Sequence, residues 1–178
     1  MKHFQVRPMF LVAMIVVAVA ARLLPHPPNF SPLAALALFG GASFSNRWLG
    51  MILPLCAMAI SDLFLGAHTL LPVVYGCLLL NACLGRWAGD QLKLSRLIPA
   101  ALLGSVSFFV LTNLGFWFFY CPLTWTGLIT CYAEALPFYQ WSLAGDLFFG
   151  AVLFGTLALA EGIIPSLRPS PRSAVEFA

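Results

Sequence analysis

Long apolar runs fill almost the whole sequence, and each is interrupted by only a short polar or proline-rich break. Lys, Arg, Asp and Glu make up 8% of the residues, against about 25% in a typical soluble domain. Charge at this level cannot cover the surface of a globule, so lipid is the expected solvent. One membrane-spanning helix requires roughly 20 apolar residues, which most of these runs approach. The sequence therefore predicts an integral membrane protein.

The breaks between the apolar runs place six helices, and most ends carry proline or glycine. A proline-rich turn at 25–28 ends the first helix, Gly66 ends the third and Pro165 ends the sixth. The predicted fold class is an all-α bundle of six transmembrane helices, with residues 1–178 forming a single membrane domain. The predicted helices cover about 8–24, 31–45, 48–65, 70–88, 97–119 and 141–164.

The connection between the fifth and sixth helices is predicted to be long. Residues 120–139 are semi-polar and aromatic and include Pro122 and Pro137, which disfavour a continuous helix. We expect a loop with a short interfacial helix on the outer side. Cys121 and Cys131 lie in this connection, where an oxidising compartment would allow a disulfide. Whether the two cysteines pair stays open.

The distribution of basic residues predicts the orientation. With the N-terminus in the cytoplasm, eight of the nine Lys and Arg residues fall on the cytoplasmic side and only Arg22 falls outside. Membrane proteins retain Lys and Arg in their cytoplasmic loops, so both termini are expected inside. The basic residues are scattered singly at segment ends, which excludes a nucleic-acid-binding surface.

Polar residues in the outer half of the predicted bundle are the candidates for a binding site. An ionisable residue at membrane depth is costly, and its presence there suggests a function. We expect an outward-opening pocket in which these side chains bind a small-molecule substrate. The candidates are Arg22, His26, Asn29, Asp62, Tyr75, Asn113 and Asp146.

Structural roles are the alternatives for the two acids in this set. Asp62 could pair with Arg22, and Asp146 could be stabilised by the dipole near the start of the sixth helix. The proline-rich turn is expected to be stiff. We therefore expect it to hold His26 and Asn29 within reach of Asp62 or Asp146.

No motif indicates catalysis or a cofactor. The sequence lacks HExxH and paired Cys/His metal motifs, a GxSxG elbow, and the Walker and Rossmann glycine patterns. We therefore predict no enzyme, no cofactor and no bound metal. One alternative is a membrane-embedded metal-handling protein or enzyme that uses His26, His68 and the outer acids. Another is a non-transporting assembly protein, because small residues recur at packing spacing in the third and sixth helices.

Several motifs resemble those of an uncharacterised family of small bacterial membrane proteins. They are the segment 22–41, which begins Arg-Leu-Leu-Pro-His-Pro-Pro-Asn-Phe-Ser-Pro, the pair Ser61-Asp62, Thr112-Asn113-Leu-Gly-Phe-Trp117, and Ala135-Leu-Pro-Phe138 with Gly145-Asp146. That family in turn resembles the substrate-binding (S) components of energy-coupling-factor (ECF) vitamin transporters, which have six helices and cytoplasmic termini.

The resemblance implies a substrate-capture subunit for uptake of a small, water-soluble, vitamin-like nutrient in the bacterial cytoplasmic (inner) membrane. S components bind their ligand near the outer surface and work with a transmembrane coupling subunit and ATPases. The first helix of S components often carries an Ala-xxx-Ala docking motif, which the first helix here lacks, since Val17 follows Ala13 and Arg22 follows Ala18 at the fourth position. Solitary S-like proteins for cobalamin further suggest cobalamin as a substrate, with Cys77 contacting its cobalt.

Overall fold

The computed structural model describes residues 6–22, 24–25, 27–66, 69–89 and 93–169. These residues form helices throughout, which confirms the predicted all-α class. The elements are α1 (Val6–Arg22), α2 (Leu33–Ser43), α3 (Arg47–Leu65), α4 (Leu71–Ala88), α5 (Leu94–Tyr120), α6 (Trp125–Ile163) and a short 3-10 turn (Pro165–Leu167). Four of the helices, α3 to α6, are long and apolar enough to cross a membrane.

Local side chains and glycines set several of the helix ends. The Asn46 side chain caps α3 by accepting hydrogen bonds from the backbone N–H groups of Trp48, at 2.9 Å, and Leu49, at 3.3 Å. These are amide groups that the first turn of a helix leaves without an intrahelical partner. Gly66 ends α3 with φ of 92°, a conformation that is strained for residues with a Cβ atom.

Helix α2 is the centre of the bundle. Every residue from Ala34 to Ser43 is buried, so the helix has no exposed face. Gly41 faces the carbonyl oxygen of Ala82 on α4, and Gly85 on α4 faces the carbonyl oxygen of Leu38; a Cβ atom at either glycine would overlap that oxygen. Glycine at these positions therefore allows α2 and α4 to pack with their backbones in contact.

The second helix differs from its predicted extent and role. A span was predicted over 31–45, whereas α2 has 11 residues, or about 16 Å at 1.5 Å per residue. A bilayer core is about 30 Å thick, so α2 is too short to cross it alone. Its uniformly small and apolar sequence reflects burial by other helices, and lipid contact is not required to explain it.

The sixth helix is also longer than predicted. Residues 120–139 do not form a loop: α6 begins at Trp125 and continues for 39 residues, with Pro137 inside it. The true connection is short and ends at Thr124, whose side chain accepts a hydrogen bond from Gly127 N at 3.0 Å. A proline removes one helical hydrogen bond, which a long helix packed along its neighbour can tolerate.

One end of the bundle, which we call the basic face, carries most of the described basic residues: Arg7, Arg47, Arg86, Lys93, Arg96 and Arg168. Arg7 Nη1 lies 2.5 Å from Glu161 Oε1 and joins the start of α1 to the end of α6. Arg86 Nη1, near the end of α4, donates to the carbonyl oxygen of Phe44 at 3.2 Å. Of the Lys and Arg residues that the structure describes, Arg22 alone lies at the opposite end.

Candidate functional site

The segment between α1 and α2 turns sharply at the end of the bundle opposite the basic face. Phe30 N donates to the carbonyl oxygen of Pro27 at 3.1 Å, and Asn29 has φ of 65°. A proline followed by a residue with positive φ at the two central positions is the pattern of a type II turn. Asparagine is one of the few residues with a side chain that adopt this conformation readily, so Pro28-Asn29 explains the turn.

This segment lies directly against α6. A Cβ atom on Gly145 would be 3.0 Å from Ser31 N and 3.3 Å from Phe30 Cα, so the absence of a side chain permits the approach. The Phe30 ring packs on Phe148 and Phe149, with centroid distances of 5.7 and 5.5 Å. The turn is thereby held beside Asp146, the next residue of α6.

A cavity of ≈ 560 Å³, the main cavity, lies between this turn and helices α3 to α6. One wall is aromatic: the rings of Phe109 and Tyr139 lie 4.7 Å apart between centroids. Most of the other lining side chains are also apolar. The polar and charged side chains that line it include Arg22, Asn29, Thr112, Asn113, Glu134 and Ser142.

A second cavity of ≈ 290 Å³, the side cavity, adjoins the main cavity and is lined by Asp146. Arg22, Asn29 and Ser142 line both cavities. Asp146 is 9% exposed. Within the described ranges it forms no ion pair, although the hydroxyl of Ser105 lies beside it.

The Ser31 hydroxyl, near Asp146, has unmet hydrogen-bonding capacity. Ser31 lines the side cavity together with Asp146. Its hydroxyl oxygen is buried and has no hydrogen-bond partner among the residues that the structure describes. Buried polar groups are normally satisfied, so this end of the cavity has the character of a binding site.

Arg22, Asp62 and Tyr75 form a polar network behind the cavity wall. Arg22 Nη1 lies 2.9 Å from Asp62 Oδ1 and also contacts Ser61 Oγ. Tyr75 donates from its hydroxyl to Asp62 Oδ2 at 3.2 Å. The network joins the end of α1 to the end of α3 and the start of α4.

The structure therefore divides the predicted site residues into two groups. Arg22, Asn29, Asn113 and Asp146 line one or both cavities. Asp62 contacts both Arg22 and Tyr75, and neither Asp62 nor Tyr75 is among the residues that line the two cavities. His26, and with it the predicted reach of its side chain, lies outside the described residues.

The helix-dipole explanation for Asp146 is wrong, because α6 begins at Trp125 and Asp146 is far from its first turn. The ion-pair alternative for Asp62 describes the observed contact with Arg22. Asp62 and Asp146, which were both predicted from the sequence to line the pocket, thus have different surroundings.

Several cavity residues were missed in the sequence, and six of them are on α6. Cys131, Ala135, Tyr139 and Ser142 line the main cavity, and Asp146 continues their stripe into the side cavity. Their spacing of three or four residues is that of one helix face. The spacing could have identified this wall, but the prediction of a loop over 120–139 concealed it.

Cys77, the predicted cobalt contact, does not line the main cavity or the side cavity. Cys77 is buried and borders a separate apolar cleft between α4 and α5. Cys121 and Cys131 are both free thiols, and Cys131 Sγ lies 3.9 Å from the carbonyl oxygen of Asn113. In the described part of the chain, no group of three His, Cys, Asp or Glu side chains is arranged to hold a metal ion.

Comparison with known proteins gives one family match. No curated protein and no solved structure matches the chain significantly. A family profile matches residues 2–167, which is nearly the whole chain. The chain therefore belongs to DUF6580, a family of unknown function.

Proposed function

We propose that this protein captures a small, water-soluble nutrient at the outer face of the bacterial inner membrane, without catalysing a reaction. The observation that carries the proposal is the main cavity of ≈ 560 Å³ with its adjoining side cavity. Sites for small molecules are typically concavities of about 300–1,000 Å³ with mostly apolar walls and a few polar groups. The combination of an aromatic wall, Asn113 and Asp146 fits that description.

The proposed orientation follows from the basic face. Lys and Arg concentrate on the cytoplasmic side of membrane proteins, so the basic face would lie in the cytoplasm and the cavities would open outward. Helix α1, with 17 residues, and the buried α2 also run between the two faces. In this arrangement all six helices contribute to the membrane domain, and both termini are cytoplasmic, as in S components.

The turn at Pro28 and Asn29 suits a binding site because it is restrained before a ligand arrives. Proline fixes its own φ angle, and the contact with Gly145 holds the following residues on α6. A wall that is already ordered loses little conformational entropy on binding. We therefore assign Asn29 and Asn113 to hydrogen bonding with the substrate.

Native mass spectrometry of the protein purified in mild detergent tests the proposal. The wild type should retain a small water-soluble compound or rebind one from a vitamin mixture. Ala135→Trp should abolish binding, because Ala135 lines the main cavity. Ala133→Trp is the matched control, since residue 133 is exposed on the same helix. Absence of any bound compound, or equal binding by both variants, would refute capture in this cavity.

ATP-driven transport would need a partner, because the sequence contains no nucleotide-binding motif. We propose a transmembrane coupling subunit with ATPases, as the resemblance to S components implies. The same mass spectra distinguish the other functions. A retained metal would favour metal handling, and a stable protein partner with no small molecule would favour an assembly role.

A further inference from the structure

The charges around the two cavities are unequal, and this bears on the substrate. Among the residues that the structure describes, three acidic or basic side chains line the two cavities: Arg22, Glu134 and Asp146. Arg22 is already paired with Asp62 at 2.9 Å. Within the described ranges, neither Glu134 nor Asp146 forms an ion pair. Among the described residues, the ionisable groups that remain to pair with a charged ligand are therefore acidic.

Asp146 is the deeper of the two acids. It is 9% exposed and lines the side cavity, and the Ser31 hydroxyl in the same wall has no hydrogen-bond partner in the described part of the chain. A buried carboxylate without a counter-charge is costly. A ligand that brings a positive charge would offset that cost, whereas an anion would increase it.

Glu134 and the aromatic wall extend the site outward from Asp146. Twelve residues of helix separate the two acids, or about 18 Å along α6, and Glu134 is exposed. Phe109 and Tyr139 lie between them along the main cavity. Aromatic faces attract cations and also pack against planar rings. An exposed acid at the mouth would raise the local concentration of cations.

We propose that the substrate is an organic cation with a planar, apolar body. Its positively charged nitrogen group lies beside Asp146, within hydrogen-bonding reach of the Ser31 hydroxyl, and its body lies along Phe109 and Tyr139. Glu134 attracts the cation to the opening. This inference rests on the proposed capture function and specifies the class of nutrient that the same cavity takes.

Three probes with one naphthalene body test the inference: 1-naphthylmethylammonium, 1-naphthylmethanol and 1-naphthoate. Binding is measured by isothermal titration calorimetry with the full chain in nanodiscs. The ammonium probe should bind at least tenfold more tightly than the alcohol, and the carboxylate most weakly. Asp146→Asn should remove the tenfold preference, and Glu134→Gln should weaken ammonium binding a few-fold, with a smaller effect at high salt.

Two further variants control for charge and for folding. Glu176→Gln removes one carboxylate from the C-terminal tail and should leave all three affinities unchanged. Asp146→Glu keeps the charge and should keep the preference for the ammonium probe. If Asp146→Asn fails to fold, the other variants decide. A preference for the ammonium probe that persists in Asp146→Glu and Glu176→Gln but decreases in Glu134→Gln supports the inference. An undiminished preference in Glu134→Gln overturns it.

The failure of this inference is distinguishable from failure of the capture function. Equal or tighter binding of the alcohol or carboxylate, abolished by Ala135→Trp, would overturn the cationic substrate and leave capture intact. No binding of the ammonium probe would also overturn it. Loss of all retained compounds in native mass spectra, by contrast, would remove the capture function itself.

Discussion

Arg22 Nη1 lies 2.9 Å from Asp62 Oδ1, and this ion pair joins the ends of α1 and α3 beside the cavity. The two side chains are 12% and 9% exposed, so the pair is largely shielded from water. Asp146 is buried to a similar degree but has no ion pair among the described residues. The two aspartates should consequently respond in opposite ways to neutralisation.

We expect Asp62→Asn to destabilise the protein and Asp146→Asn to leave its stability unchanged or raise it. Removing one partner of a buried ion pair strands the other charge, at a cost of about 3 kcal/mol. Neutralising a buried, uncompensated carboxylate removes a cost instead. Thermal unfolding in detergent, followed by intrinsic fluorescence, measures both effects. Equal unfolding temperatures for Asp62→Asn and wild type would show that the ion pair contributes little.

The coupling between Arg22 and Asp62 can be measured separately. Arg22→Met combined with Asp62→Leu leaves neither charge stranded, so the double variant should be more stable than either single variant. The thermal unfolding of the four proteins forms a double-mutant cycle. Strictly additive destabilisation would indicate that each residue acts through other contacts.

Topology can be tested by cysteine labelling in a background without the five natural cysteines. Ser95→Cys lies at the basic face and Leu123→Cys lies in the connection between α5 and α6. An impermeant maleimide applied to intact spheroplasts should label residue 123 and not residue 95. Reporter fusions should likewise place residues 90 and 172 inside and residues 27 and 130 outside. Labelling of residues 95 and 123 from the same side would refute the orientation.

The all-α class could be predicted because the low charge content and the long apolar runs are visible in the sequence without tertiary information. Helix ends marked by local chemistry were also predictable: α3 is Arg47–Leu65, within one residue of the predicted limits of 48 and 65, and its caps are Asn46 and Gly66. Here the capping side chain and the glycine act on their own neighbours, so no tertiary information was needed.

The roles of α2 and α6 depended on tertiary structure. The short α2 is stabilised by helices that surround it, and Gly41 matters because Ala82, distant in sequence, approaches it. Pro137 suggested a break in α6, but packing of α6 against α5 overrides that local preference. The ion pair between Arg22 and Asp62 was one of two alternatives for Asp62 in the sequence. Deciding between them required the relative positions of α1 and α3.

The contact between Gly145 and the proline-rich turn gives the last prediction, which concerns the cavity wall. Gly145→Val should displace Ser31 and Phe30, because even a Cβ atom would lie 3.0 Å from Ser31 N. Overpacking of this kind costs about 1–3 kcal/mol. Since Asn29 lies in the displaced turn, affinity for 1-naphthylmethylammonium should fall at least tenfold, alongside a lower unfolding temperature.

Gly162→Val is the matched control on the same helix, because a Cβ atom at Gly162 meets nothing within 4 Å and the residue is exposed near the end of α6, away from both cavities. It introduces the same β-branched side chain into α6, with the same small effect on helix propensity, but leaves the turn in place. Ligand affinity should therefore equal that of the wild type. If the two valine variants bind the probe equally well, the turn does not form part of the site, and the ligand contacts must come from the helices that line the cavity.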